Sequence, residues 1–169
     1  MSHAIRAASH ADVDAMAEVW ALADGKRRTD IGLSATVTVE QARHLVVDRL
    51  GRAGSIPVVA RDGEQVVAMA IGLPAREHDG AGRAVIPGLL HVTLVSVVPS
   101  AWGRRLAARV LTTLLDDARL AGYTAAQVWA HESNTRAIAV YERLGFTRTS
   151  RTKIDIRGEI IAQWHRTLT

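Results

Sequence analysis

The chain has 169 residues, room for one domain with a sizeable core and too few for two ordinary ones. It holds no cysteine, which excludes disulfides, thiolate metal sites and a cysteine nucleophile. The net charge of +4 rests almost wholly on arginine and suits an anionic ligand such as a nucleotide phosphate; scattered basic residues and few aromatics speak against nucleic acid. No apolar run is long enough to span a membrane, and the first residues show no apolar export core, so a cytoplasmic setting is expected.

Along the chain, Ala4 to Ala7 reads as a strand. Ser9 caps a helix, with Asp12 in a capping-box position, and Val13, Met16, Trp20 and Ala23 form its inward face. The polar segment Asp24 to Val37 predicts a loop. Thr38 with Gln41 starts a second helix whose apolar face is Ala42, Val46 and Leu50. Pro57–Arg61 and Gln65–Leu73 flank Asp62-Gly63, a hairpin signal. Residues 74–88 predict a second loop. Leu89 to Val98 is a nearly unbroken apolar run, which predicts a central strand buried on both faces. Leu106, Val110, Leu111, Leu114 and Ala118 mark a long helix closed by Gly122. A strand at 125–130, a helix from Asn134 to Gly145 and a closing hairpin turning near Arg157-Gly158 complete residues 1–169 as one α/β domain. Its mix of hairpins and crossovers implies a mixed sheet covered by helices.

Two stretches carry chemistry. At 89–115 a buried strand breaks at Pro99, passes a small turn at Trp102-Gly103 and enters a helix. Free N–H groups at such a helix start converge on one spot, the helix dipole favours an anion there, and Arg104 and Arg105 add charge. An ordinary strand-to-helix crossover with solvated arginines gives the same spacing. The second stretch, NTRAIAVYERLGF at 134–146, is a capped amphipathic helix with a glycine stop. Helix formation alone requires neither Asn134 nor Tyr141.

In these two stretches the chain resembles the GNAT superfamily of acetyl-CoA-dependent N-acetyltransferases, and the likeness in element order covers the whole chain. The family's loop of Gln or Arg, two residues, Gly, one residue, then Gly or Ala falls on Trp102 to Ala107. Ala107 fits it, while Trp102 and Arg105 depart from it, and a side chain at Arg105 takes space that glycine leaves free. The resemblance implies a single GNAT-like α/β domain, with a mixed, mostly antiparallel sheet of about seven strands flanked by about four helices. It implies that acetyl-CoA lies along strand residues 92–98, among them Val95, Val97 and Val98. The loop of Trp102, Gly103, Arg104, Arg105, Leu106 and Ala107 would hold the pyrophosphate, with Asn134 and Ala137 bordering the cofactor. Tyr141 would protonate the departing thiolate, a task that suits a phenol because its pKa is near or above a thiol's.

Attack on a thioester requires an amine that has lost a proton, so a base is sought. Strand alternation places His91 with Thr93, Val95 and Val97 on one face, and His91 matches the position of a Glu or His base in relatives. His131 and Glu132 are second candidates. Glu18, Trp20, Arg27, Arg28 and Asp30 are candidates for the acceptor pocket. His3, His10, His44, His78 and His165 show no ligand spacing, so no metal is expected. The reading is acetyl transfer to a small-molecule primary amine, without nucleic acid or membrane partners and with a homodimer as the expected assembly. Transfer to a protein lysine or N-terminus, or a non-catalytic acyl-CoA-binding module, are the alternatives. A Rossmann-type enzyme would need a glycine-rich turn after the first strand, where Ala8-Ser9-His10 stands.

Overall fold

The computed structural model describes residues 3–34, 37–79 and 82–169. Met1 and Ser2 of the stretch read for an export signal lie outside that set, as do residues 35–36 and 80–81 of the two expected loops. The described elements run β1 (Ala4–Ala7), α1 (Val13–Asp30), α2 (Val39–Gly51), β2 (Ile56–Asp62), β3 (Gln65–Arg76), β4 (Val85–Val97), α3 (Leu106–Leu120), β5 (Ala125–His131), α4 (Thr135–Arg143), β6 (Thr147–Ile154) and β7 (Ile160–Thr167). This is the order expected from sequence. Reciprocal bonds between Thr38 and Gln41 start α2, with Gln41 N donating to Thr38 Oγ1 and Thr38 N to Gln41 Oε1. The β2–β3 hairpin turns where Asp62 pairs with Gln65, with Gly63 at φ +57.

The strands form one mixed sheet in the order β1-β2-β3-β4-β5-β7-β6, with every pairing antiparallel except β4–β5. Alternating strand residues feed two cores. Val58, Ala60, Ala68 and Leu90 meet Val110, Leu111 and Leu114 of α3. On the other face Val59, Met69 and Ile71 meet Met16 and Val19 of α1 and Val46 of α2. Each fully covered Leu or Val contributes about 1.5–3 kcal/mol, so α3 is held by its apolar stripe.

The parallel β4–β5 ladder ends at Val92↔Val128, after which the two strands part. β4 keeps its bonds to β3 as far as Val97, so its other edge opens into a cleft. That opening corrects the expectation of a strand buried on both faces. Leu90, Val92, Ser96 and Val97 are buried, whereas His91, Thr93, Leu94 and Val95 are half-exposed to the cleft.

Three further expectations are corrected. Residues 24–30 are helix, because α1 runs on to Asp30 before Gly32, at φ +77, ends it. Polarity there signals partners on the turn between β6 and β7 rather than solvent: Asp24 and Arg28 are both buried. Both ends of 74–88 are strand, since β3 reaches Arg76 and β4 begins at Val85. Strand alternation also fails inside β4. Leu94 has φ +51, and the register slips there, with Ile71 opposite Thr93 but Met69 opposite Ser96. This bulge leaves His91, Thr93 and Ser96 on the α1–α2 face and moves Val95 and Val97 to the α3 face.

Candidate active site

The parting strands, α1, α3 and α4 enclose a cleft of about 690 Å³. Its first end is the loop between β4 and α3. Gly103 has φ +81 and Arg105 has φ +58. A left-handed backbone costs a non-glycine residue about 1–2 kcal/mol, so the sequence departure at Arg105 keeps a glycine-like conformation under strain. No side chain caps α3, which leaves its first amide groups free for an anion. Arg105 and Arg136 line this end, and neither has a carboxylate partner among the described residues. The fit to a diphosphate therefore rests on free amides and unpaired guanidiniums converging at one place.

Trp102 bridges the two walls. Its Nε1 donates to the Val97 carbonyl at 2.8 Å, and the Arg136 guanidinium stacks on its ring at 4.0 Å. The Val97 carbonyl is thus already engaged, which leaves the other open backbone groups of β4 for a pantetheine arm. Trp102, Gly103, Arg105, Leu106 and Ala107 all line the cleft, together with Val95, Val97, Asn134 and Ala137. Val98 and Arg104 lie off it. Val98 packs into both cores, and Arg104 points toward Asp62 at 3.9 Å.

Asn134 caps α4 by accepting the Ala137 amide at 3.2 Å, and this fixes where Tyr141 falls two turns on. Tyr141 reaches the cleft while 5% exposed, with its ring edge against Phe146. Burial pushes its phenol above the ordinary tyrosine pKa, so it is fully protonated near neutrality. His91 also lines the cleft, opposite Leu73 on β3 and Gln127 on β5. Gln127 is buried and accepts from Gln163 Nε2 at 2.7 Å, part of a polar row across the sheet that the sequence does not announce.

The second end is walled by α1 and by the turn between β6 and β7. Trp20, Arg27 and Asp30 line it, as does His131, whereas Glu18 and Glu132 are exposed and Arg28 is buried behind. In contrast to the first end, the arginines here are paired. Arg157 forks onto Asp24 at 2.7 and 2.9 Å, Arg27 onto Glu159 at 2.8 and 2.9 Å, and Arg28 also bonds Glu159. Burial would raise the Asp24 carboxyl, but Arg157 and Arg27 outweigh it and hold it below the usual range. The bond from Arg27 does the same for Glu159. These pairs clasp the β6–β7 turn onto α1 and close that end of the cleft. Asp24, Arg136, Asp155 and Arg157 escaped the sequence reading because charged residues in helices and turns look like solvated surface. Among the described residues His131, Asp155 and Glu159 bring one ligand atom each within 4.8 Å of the others. Two arginines already occupy Glu159, which opposes a cation there.

Residues 16–146 match the Acetyltransferase (GNAT) family. Among curated proteins none matches the chain. Solved structures share the fold. A ribosomal-protein-alanine N-acetyltransferase from Brucella melitensis is 22% identical, with TM-score 0.74, covering 98% of this chain and 99% of its own. A Salmonella typhimurium protein solved with acetyl-CoA as its cofactor is 20% identical, with TM-score 0.72, covering 100% and 95%. An N-acetyltransferase from Thermoplasma acidophilum in complex with coenzyme A is 12% identical, with TM-score 0.67, covering 96% and 98%. Among the described residues no helix is long and apolar enough to cross a membrane. With a family match over most of its length and a sheet split beside the loop that opens α3, the chain belongs to the Acetyltransferase (GNAT) family.

Proposed function

We propose that this enzyme transfers an acetyl group directly from acetyl-CoA to a primary amine of a small molecule, both substrates being held together in the cleft. The observation that carries the reading is the division of the cleft into an end with free amides and unpaired arginines and an end closed by paired charges. Arg105, Arg136 and the amides at the start of α3 would hold the diphosphate. The open edge of β4 around Val95 would align the pantetheine arm, beside Asn134 and Ala137. Acetyl-CoA supplies the acyl group already activated as a thioester. Tyr141 donates a proton to the leaving sulfur, and His91 takes the proton of the amine. The clasped β6–β7 turn limits access from the α1 side, which supports a small acceptor over a protein chain.

Calorimetry with CoA and with pantetheine tests the assignment of the loop. CoA should bind at least tenfold more tightly, because two or more charge-assisted bonds to the diphosphate are lost with pantetheine. Equal affinities would remove the loop from cofactor binding. A screen of small primary amines beside an alanine-terminated peptide, following thiol release, decides the acceptor class. A preference for the peptide would favour the protein reading.

His91 carries a pH signature. Only the neutral imidazole can accept the amine's proton, so activity should rise with pH as a histidine deprotonates. His91→Ala should abolish that limb and lower the rate most at acidic pH, with CoA affinity unchanged. An unaltered profile with only a lower melting temperature would mark His91 as structural.

A further inference from the structure

His131 ends β5 beyond the point where that strand leaves β4, and it lines the cleft. Its Nε2 lies 2.9 Å from Asp155 Oδ2 and 3.9 Å from Glu159 Oε1. Asp155 is itself fixed by the backbone of the turn, since its Oδ1 accepts the amides of Arg157 and Glu159 at 2.9 Å each. Burial would raise this carboxyl, but the His131 bond and the two amides outweigh it and keep it ionised.

An ionised carboxylate only accepts, so the imidazole proton must sit on Nε2. The neutral ring then presents Nδ1 as a bare lone pair, and Nδ1 has no hydrogen-bond partner among the described residues. The surrounding charges are Arg157, Asp155 and Glu159 on the turn and Asp24, Arg27 and Arg28 on α1, three arginines against three carboxylates. What remains on the ring, at a residue that lines the cleft, is one acceptor atom in a fixed tautomer. The proton transfers already have their groups in Tyr141 and His91, so a further fixed lone pair serves recognition.

We propose that His131, held in one tautomer by Asp155, binds the acceptor substrate by accepting a hydrogen bond from its amine N–H. His131 thereby favours acceptors with an N–H donor over those that offer only lone pairs. Asp155 acts as a positioning residue. The inference rests on the acetyl-transfer reading above.

Steady-state kinetics at saturating acetyl-CoA, with ethanolamine and putrescine as acceptors and thiol release as the signal, test this. His131→Ala should raise acceptor KM about tenfold, the worth of one desolvated hydrogen bond, with kcat within about twofold. Asp155→Asn should raise KM about as much as His131→Ala, because its Oδ1 stays on the two backbone amides, its NH2 donates to Nε2, and the ring proton moves to Nδ1. His131→Asn, which restores an acceptor oxygen, should recover part of the loss and stands in if the alanine variant fails to fold. An unchanged KM, or a loss confined to kcat, would overturn the proposal. If wild type at saturating acetyl-CoA released no thiol with any amine, the transfer reading itself would fall. Calorimetry of putrescine on the CoA-loaded wild type and His131→Ala would then still decide the binding role, equal affinities overturning it.

Discussion

Tyr141→Phe is expected to cut turnover by roughly ten- to a thousandfold, the range for loss of a positioned acid. The substitution removes one hydroxyl from a ring whose body stays packed on Phe146, so the fold and CoA affinity should hold. Burial raises the phenol, which on its own would make it a weaker acid. The same burial disfavours a naked thiolate beside it, so the two basicities rise together and the transfer stays nearly balanced. Because Tyr141 keeps its proton near neutrality, it should add no inflection to the pH profile there. Single-turnover rates with an acceptor found by screening provide the measurement. Wild-type rates in the phenylalanine variant, with chemistry limiting, would take Tyr141 out of the mechanism.

Glu159→Ala should cost about 3–5 kcal/mol of folding stability, the range for removing one partner from a buried ion pair. Its carboxylate holds Arg27 and Arg28, whose side chains are 12% and 5% exposed. Without it Arg28 loses its bond from the turn, and Arg27 keeps its longer contact with Asp24, at 3.4 Å and already forked to Arg157. For a domain of this size the melting temperature should fall by about 10 °C. The pH dependence follows from the depressed carboxyl. A carboxyl whose folded pKa is lowered stabilises fully above its unfolded value, about 4.3, and loses that contribution as pH falls through the folded value. The variant should therefore show a flatter acid limb in denaturant titrations. A cost below about 1 kcal/mol would mean that the clasp is solvated.

Much of this molecule is legible in one sequence because its signals are local. Ser9 with Asp12, Thr38 with Gln41, Asp62-Gly63 and Asn134 each fix a chain direction by a bond within a few residues. The apolar stripe of α3 and the run in β4 placed the core. The phosphate loop was legible for the same reason, although the left-handed backbone at Arg105 is not something an arginine announces. What stayed hidden depends on distant partners. Asp24 to Asp30 looked like a loop because the groups that bury it lie more than 120 residues away, at Arg157 and Glu159. The orientation of His131 was hidden too, since Asp155 meets it only through the pairing of β5 with β7. Alternation within β4 misled because a single left-handed residue, Leu94, breaks the period of two.

That residue also governs how the enzyme can change by insertion or deletion. The bulge is one extra residue set against β3, and the strand on either side of it counts from a different origin. Removing one residue between Val92 and Ser96 would restore an unbroken alternation. Ser96 would still face α1 and α2, and Val95 and Val97 would still face α3, but the left-handed kink that follows the last β4–β5 pair, Val92↔Val128, would be gone. The protein would keep its apolar content, its strand order and the faces of its side chains while the backbone edge that borders the cleft straightened. Loss of activity by such a route leaves a folded relative, so in this architecture a single-codon deletion separates folding from catalysis more cleanly than most point substitutions.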